Sequence, residues 1–126
     1  MALPRSSWPV LFVLPLLLLG CGPSPGHEVK DFFVDLEQGN VERASQRLSA
    51  ETDRLYGEKL TLGFQDVPGA IAQKEGIKKI KILEETVTDG AATVLYQVEF
   101  GDGSTESGEI LLVEEAGTWK IQPMAK

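Results

Sequence analysis

From Glu28 onward the apolar residues recur with the period of an α-helix. The first apolar stripe has its members at i, i+3, i+4 and i+7: Val29, Phe32, Phe33 and Leu36. The acids of this segment are expected on the polar side: Glu28, Asp31, Asp35 and Glu37. Gly39 ends the predicted helix, and Asn40 is a suitable N-cap for a second helix with the same spacing. Ser49 is then expected to cap a third, shorter turn that runs as far as Tyr56.

The segment that follows has a weaker helical pattern. Residues 60–65 are irregular, and Gly63 within them argues against a long helix, because glycine is unfavourable in a helix interior. Asp66 and Pro68 then open a short helix, which Gly76 closes. Since none of these helices is long enough to be stable alone, they must share an apolar surface.

After Gly76 the pattern changes to that of β-strands joined by short turns. Asp89-Gly90 is a strong two-residue hairpin turn. Beyond it, alternate residues are expected to face the core: Ala92, Val94, Tyr96, Val98 and Phe100. The predicted strands cover residues 77–88, 91–100, 105–115 and 118–122. The sequence therefore predicts an α+β fold, in which N-terminal helices pack on a four-stranded antiparallel meander sheet.

Two of the predicted strands depart from simple alternation. In the first, the apolar positions change phase between Ile82 and Leu83, which predicts a bulge or sharp bend. In the third, the run from Ile110 to Val113 is apolar on both faces, so this strand is expected to be buried on both sides. With Leu95 this run places an apolar patch on the outer face of the sheet, and we expect that face to form a homodimer contact.

Ahead of the helices, the chain has the features of an export signal. Arg5 and the amino terminus are positive, residues 10–19 are apolar, and Gly20 is the small residue that a signal peptidase needs. The apolar run is too short to cross a bilayer, and Pro15 interrupts it. Leu18-Leu19-Gly20-Cys21 resembles the lipobox of bacterial lipoproteins, in which the cysteine thiol carries a diacylglyceryl group.

The lipobox resemblance divides the chain into three parts. Residues 1–20 are a signal peptide that is removed, residues 21–27 are the lipidated Cys21 and a flexible tether, and residues 28–126 are the folded domain. The resemblance implies palmitate or a similar acyl chain on Cys21 and attachment to the bacterial cell envelope. Gly22 in place of an aspartate implies the outer membrane, in a host that has one. A soluble secreted form is the alternative.

Net charge narrows the range of partners. With 19 acids and 12 bases among 126 residues, the chain carries a formal charge of −7. Such a surface repels phosphate backbones, so nucleic acid is not an expected partner. It also repels anionic headgroups, so membrane attachment is expected to come from the lipid rather than from charge.

Two longer stretches resemble small bacterial lipoproteins of the nuclear transport factor 2-like superfamily, in particular a group labelled as a domain of unknown function. The resemblance covers most of residues 28–122 and rests on three features: paired aromatics (Phe32, Phe33), a Gln38-Gly39-Asn40 break, and a final Trp119-Lys120-Ile121 strand. It implies a strongly curved sheet with helices packed into its concave side as a cone. Because this superfamily includes isomerases, dehydratases, ligand carriers and inert scaffolds, the fold does not decide function.

Catalytic members of the superfamily place an aspartate with a histidine or a tyrosine at the mouth of the cone. The only histidine, His27, lies in the predicted tether, so the domain has no histidine base. Asp66 is the nearest candidate base, with Tyr56 or Tyr96 as hydrogen-bond donor. The position of Asp66 is already explained by a role as a helix cap, however. The tyrosines are explained as core residues whose hydroxyl groups reach water. We therefore expect no enzymatic activity.

Other chemical sites are not expected either. The single cysteine is assigned to the lipid and the single histidine stands alone, so we expect no metal and no cofactor. Gly101-Asp102-Gly103 is predicted to be a turn, because it lacks the further residues that phosphate and calcium loops require. Four aromatic residues are candidates to line a small apolar pocket in the cone: Phe32, Phe33, Tyr96 and Trp119. In a domain of this size we expect their side chains to fill it.

These observations favour a lipid-anchored envelope protein whose domain is a non-catalytic binding or interaction module for an unknown envelope protein. The first alternative is a carrier of a small hydrophobic ligand in the cone pocket. The second is an isomerase-like enzyme with Asp66 as its base.

Overall fold

In the computed structural model, which describes residues 23–122, polar side chains begin the first three helices. The helices are α1 (Pro25–Glu37), α2 (Val41–Gln46), α3 (Ala50–Phe64) and α4 (Val67–Gln73). Side-chain oxygens of Ser24, Asn40 and Ser49 each accept a hydrogen bond from a backbone amide of the first turn. The predicted caps at Asn40 and Ser49 are therefore confirmed.

The first helix begins earlier than predicted. Ser24 is its N-cap and Pro25 lies in its first turn, where the missing N–H of proline has no helical partner to lose. Residues 25–27 therefore belong to α1 rather than to the tether predicted over residues 21–27, and His27 is helical. Pro23 and Ser24 of the predicted tether directly precede α1, whereas Cys21, Gly22 and the predicted signal peptide lie outside the described residues.

The third helix is longer than predicted. The sequence favoured a short turn and an irregular segment over residues 60–65, but α3 runs for 15 residues through Gly63. Two apolar residues of its last turns, Leu60 and Phe64, pack against the core, and this contact offsets the weak helical preference of glycine. Tertiary packing thus decides the length of α3.

Four antiparallel strands follow the helices within the described part of the chain, in the spatial order of their sequence. They are β1 (Ile77–Thr88), β2 (Ala91–Phe100), β3 (Thr105–Glu115) and β4 (Thr118–Gln122). In β1, Ile82 pairs with Tyr96 and Glu84 with Leu95, so Leu83 has no partner residue across the strand pair. The bulge predicted between Ile82 and Leu83 is confirmed.

The core lies between α1 and the central strands. The larger cluster joins Val29, Phe32 and Leu36 of α1 and residues of α2 and the loop after it to the sheet, where it includes Val94, Leu112 and Ile121. A smaller cluster joins Ile71 of α4 to two residues of β2: Val98 and Phe100. The predicted inward face of β2 is thus confirmed, with Tyr96 only half-buried.

The expectation that β3 is buried on both sides is wrong. Leu112 is fully buried, whereas Leu111 and Val113 on the opposite face are half-buried. Those two residues pair across the strands with Thr93 and Ala91, which are not core positions. The apolar run therefore reflects one packed face and one partly exposed face.

The loop after α2 lies along the free edge of β4. The backbone amide of Ile121 donates to the carbonyl of Arg47 (2.8 Å), and the amide of Ser49 donates to the carbonyl of Ile121 (2.8 Å). Leu48 therefore forms a short parallel bridge with Ile121. This contact covers the middle of β4, which would otherwise be an open sheet edge.

Candidate functional site

An apolar cavity of about 130 Å³ lies between α4 and the ends of β1 and β2. Its lining consists of Phe33, Val67, Ala70, Ile71, Lys74, Ile77, Val98, Phe100 and Glu106. The cavity is thus built mainly from aliphatic and aromatic side chains, and two charged residues complete its wall. Such a lining suits a small apolar group with a polar end near solvent.

Backbone hydrogen bonds hold the walls of this cavity in place. The turn after α4 is joined to the turn after β2, because the amide of Gly101 donates to the carbonyl of Gly76 (2.9 Å) and that of Asp102 to the carbonyl of Lys74 (3.0 Å). A carboxylate oxygen of Glu37, at the end of α1, accepts a hydrogen bond from the amide of Ile77 (3.0 Å). The elements that line this partly open cavity are therefore fixed to one another.

The charged residues of the lining form an ion pair. The Lys74 ammonium lies 3.0 Å from a carboxylate oxygen of Glu106 and 4.8 Å from the centre of the Phe100 ring. Both charged side chains are partly exposed, so the attraction within the pair is weakened by water. The ion pair is therefore weak enough for a ligand to displace, and it forms the polar edge of an otherwise apolar cavity.

The four aromatic residues predicted to line a pocket do not meet in one cavity. Phe33 lines the cavity described above. Phe32 is buried in the core, edge-on to Phe33 at 6.1 Å and to Phe64 at 5.6 Å between ring centroids. Trp119 packs against the larger core cluster from β4. Tyr96 packs against the Phe33 ring, 5.0 Å away, and so supports the cavity from behind.

The surroundings of Tyr96 keep its hydroxyl neutral. Burial raises the pKa of Tyr96 above its ordinary value, and the negative charge of Glu106 raises it further. The hydroxyl oxygen lies against Gly108, where an added Cβ atom would stand 2.5 Å away. Tyr96 therefore remains a hydrogen-bond donor rather than a base at neutral pH.

The residues considered for aspartate-based catalysis are not brought together. Asp66 stands at the N-cap position of α4, but its exposed side chain makes no capping hydrogen bond, contrary to the expectation that it caps this helix. Tyr56 lies on α3 with 45% of its surface exposed. His27 lies on α1, 3.4 Å from a carboxylate oxygen of Asp31. None of the three lines the cavity.

A buried ion cluster was missed by the sequence analysis. Arg47, the C-cap of α2, donates from Nε to Asp35 (2.6 Å) and from Nη1 to Glu28 (2.9 Å). The side chains of Glu28 and Asp35 are only 8% and 5% exposed, although both acids were expected on the polar side of α1. Burial lowers the pKa of Arg47, but the hydrogen bonds and charges of the two acids outweigh it and raise that pKa overall.

A polar cleft of about 280 Å³ adjoins this cluster. Its lining consists of Glu28, Arg43, Gln46, Arg47, Thr118 and Lys120. The Lys120 ammonium donates to the backbone carbonyl of Gln46 (2.9 Å), which joins β4 to the end of α2. One feature of the sequence indicates this ion cluster. Glu28 and Asp35 stand seven residues apart, directly beside the apolar stripe of α1.

Two features are absent from residues 23–122, a metal-binding cluster and a membrane-spanning helix. No group of three or more histidine, cysteine, aspartate or glutamate side chains lies close enough there to hold a metal ion. In the same part of the chain, no helix combines the length and the apolar character needed to cross a membrane.

Comparisons with known proteins identify the fold and a family. A family model described as "Domain of unknown function (DUF4878)" matches residues 19–122. No curated protein matches the chain. Among solved structures, the chain is similar to a Campylobacter jejuni protein named as a candidate NTF2-like transpeptidase, with 21% identity and a TM-score of 0.68 over 79% of this chain and 97% of that one. At this identity the likeness establishes an NTF2-like fold, as the sequence predicts.

Proposed function

We propose that this chain, which belongs to the DUF4878 family of domains of unknown function, is a lipid-anchored envelope protein whose domain binds a small apolar molecule without transforming it. The observation that carries the proposal is the apolar cavity of about 130 Å³ between α4 and the sheet. The lipid anchor is supported by the lipobox residues Leu18–Cys21 and the apolar segment before them.

The size and lining of the cavity support a small ligand. Apolar cavities of about 150 Å³ are known to accept benzene, so this cavity suits a ring or a branched aliphatic group of similar size. From the sequence we expected aromatic side chains to fill the cone, with a carrier of a small ligand as the alternative. Because Phe32 and Trp119 pack into the core while the space beside Phe33 stays open, the geometry favours the carrier.

The position of the cavity also suits an anchored carrier. The first turn of α1 lies beside β1, where a Cβ atom added to Gly26 would contact Ile82 and Glu85. The last residue of α1 contacts Ile77 at the other end of β1. Because α1 has 13 residues and therefore a length of about 20 Å, the cavity lies near the C-terminal end of α1, away from the helix start that follows the proposed anchor residue in the sequence.

The residues around the cavity support binding rather than catalysis. Covalent transpeptidation, which the name of the Campylobacter jejuni protein suggests, requires a nucleophilic side chain. The lining contains no serine, threonine or cysteine, and its two charged residues, Lys74 and Glu106, neutralise each other. Binding of a small apolar group needs neither a nucleophilic side chain nor an unpaired charge.

Titration with benzene and indole tests the proposed binding site. The protein is the chain with Cys21→Ser, and amide NMR shifts of Ile71 and Val98 report on the cavity wall. We expect saturable shifts that disappear in Ala70→Phe, because the added ring occupies the cavity. Ala72→Phe is the matched control and should bind normally, because Ala72 is as exposed as Ala70 but does not line the cavity. Absence of saturable binding, or equal binding by both phenylalanine variants, would contradict the proposal.

Incorporation of labelled palmitate tests the anchor separately. We expect the label in the unmodified chain and none in Cys21→Ser, because the thiol is the acceptor of the diacylglyceryl group. Amino-terminal analysis of the mature protein should place Cys21 first. Unlabelled protein, or a mature form that begins at another residue, would rule out the anchor while leaving the ligand titration unaffected.

A further inference from the structure

The polar cleft beside the buried ion cluster concentrates positive charge in an acidic protein. Three of its six lining residues are cations (Arg43, Arg47 and Lys120), and the nearby carboxylates are Glu28 in the lining and Asp35 behind Arg47, so the net charge is positive. The whole chain, in contrast, has 19 acids and 12 bases. An anion that is repelled by the rest of the surface is therefore attracted at this one cleft.

The structure holds the central cation of this cleft in a fixed orientation. Arg47 uses Nε for Asp35 and one Nη1 proton for Glu28, and its side chain is only 19% exposed. A guanidinium group carries five N–H donors, so three remain after these two bonds. Because two nearly buried carboxylates fix the plane of the group, its remaining donors lose little further freedom when a ligand binds.

The flanking cations approach the same space from two different elements. Arg43 and Arg47 stand four residues apart and so lie on the same side of α2. Lys120 comes from β4 and uses one of its three N–H donors for the carbonyl of Gln46. Like charges this close repel one another, and a bound anion relieves that repulsion.

We propose that this cleft binds a phosphate group. A planar carboxylate is matched by one guanidinium group, whereas a tetrahedral phosphate offers oxygens to donors that converge from several directions. The two guanidinium groups at α2 and the one ammonium group on β4 fit a tetrahedral phosphate. A volume of about 280 Å³ also leaves room for the phosphate together with part of the molecule that carries it.

Two sources of such a phosphate are compatible with the cleft: a phospholipid headgroup or a free phosphate. The headgroup as source rests on the proposed lipid anchor, because Glu28 lies in the first turn of α1 and Pro25, which begins α1, is only the fourth residue after Cys21. Four residues span at most about 14 Å, so an anchored domain would hold the cleft close to the headgroups. Phosphate binding itself does not depend on the anchor.

Titration of the full chain in dodecyl maltoside, a detergent without phosphate, tests the site with two probes. Inorganic phosphate represents the free ion, and glycerophosphoglycerol represents a phospholipid headgroup without its acyl chains. The amide NMR signals of Arg47 and Lys120 report on the cleft. We expect Arg43→Gln and Lys120→Gln each to weaken binding about tenfold, as expected for loss of one charge-assisted hydrogen bond.

Charge-matched control variants separate the cleft from general electrostatics. Arg54→Gln on α3 and Lys79→Gln on β1 remove the same charge outside the cleft, and we expect binding within twofold of the unmodified chain. Tighter binding of glycerophosphoglycerol assigns the headgroup, and tighter binding of inorganic phosphate assigns the free ion. No saturable shift with either probe, or equal weakening by cleft and control variants, would overturn the proposal. Failure of palmitate labelling would remove the anchor without changing these titrations.

Discussion

Replacing Arg47 with methionine should cost the folded state about 3–5 kcal/mol, because it leaves two buried carboxylates without a cation. Methionine roughly preserves the length of the side chain but makes neither bond. The side chains of Glu28 and Asp35 are 8% and 5% exposed, so little water reaches them in place of the guanidinium group. A domain of this size has a total stability of about 5–15 kcal/mol, so the loss is a large share of it.

Guanidinium chloride unfolding followed by circular dichroism measures this loss. In thermal unfolding the same change corresponds to a decrease in Tm of at least about 12 °C, at about 4–8 °C per kcal/mol. Arg43→Met is the matched control: it removes an exposed arginine four residues earlier on α2 and should change stability by less than about 0.5 kcal/mol. The difference between the two variants isolates the buried cluster.

A triple variant distinguishes buried charge from lost packing. When Arg47→Met is combined with Glu28→Gln and Asp35→Asn, the uncompensated charges disappear while the shapes remain. We expect about half of the lost stability to return, since neutral replacements of a buried ion cluster are tolerated far better than its disruption. The reasoning fails if Arg47→Met costs less than about 1 kcal/mol, or if the two amides recover nothing.

Three further predictions concern the sheet. Gly101→Ala should destabilise the domain by about 1–3 kcal/mol in chemical unfolding, because a Cβ atom there would collide with the carbonyl oxygen of Glu75; unchanged stability would contradict this. Since the pKa of Tyr96 is raised in the folded state, the free energy of unfolding should fall as pH rises above about 10. The fall should be smaller in Tyr96→Phe, where the raised pKa is absent. An equal fall in both proteins would count against this prediction. We expect a homodimer through the outer face of the sheet, seen as a concentration-dependent mass in light scattering and abolished by Leu111→Lys; a monomer at all concentrations would exclude it.

The sheet was predictable from the sequence because its signals are local. Alternation along β2 assigns the inward face, since successive residues point to opposite sides of a strand. The change of phase at Leu83 locates the bulge, because one extra residue reverses the alternation. Glycine with an aspartate before it fixes the hairpin turn, where both residues adopt positive φ angles (Asp89 49°, Gly90 78°).

The helix boundaries were less predictable because they depend on contacts between distant segments. Gly63 argued for an early end to α3, but the packing of Leu60 and Phe64 extends the helix past it. Pro25 was assigned to a tether by composition, although a serine directly before a proline is also a suitable helix start. At Gly63 a tertiary contact overrode the local preference, whereas at Pro25 the local helix-start signal was present but composition favoured a tether.

The candidate sites were the least predictable part. The ion cluster joins Glu28 and Asp35 to Arg47, which is 19 and 12 residues away along the chain, and no periodic pattern connects them. The cavity lies between α4 and the sheet, and of the four aromatic residues proposed from the sequence only Phe33 lines it. Periodicity assigns faces to elements, but it does not report which side chains from different elements meet.

The short bridge between Leu48 and Ile121 also limits how copies of this protein can assemble. Growth of a filament by strand addition requires two accessible edges on each subunit, so that every newly added copy presents a fresh one. Here the loop after α2 occupies the middle of β4, whereas β1, the other edge strand of the described sheet, has no strand on its outer side. Edge-to-edge joining through β1 therefore stops at a pair of copies.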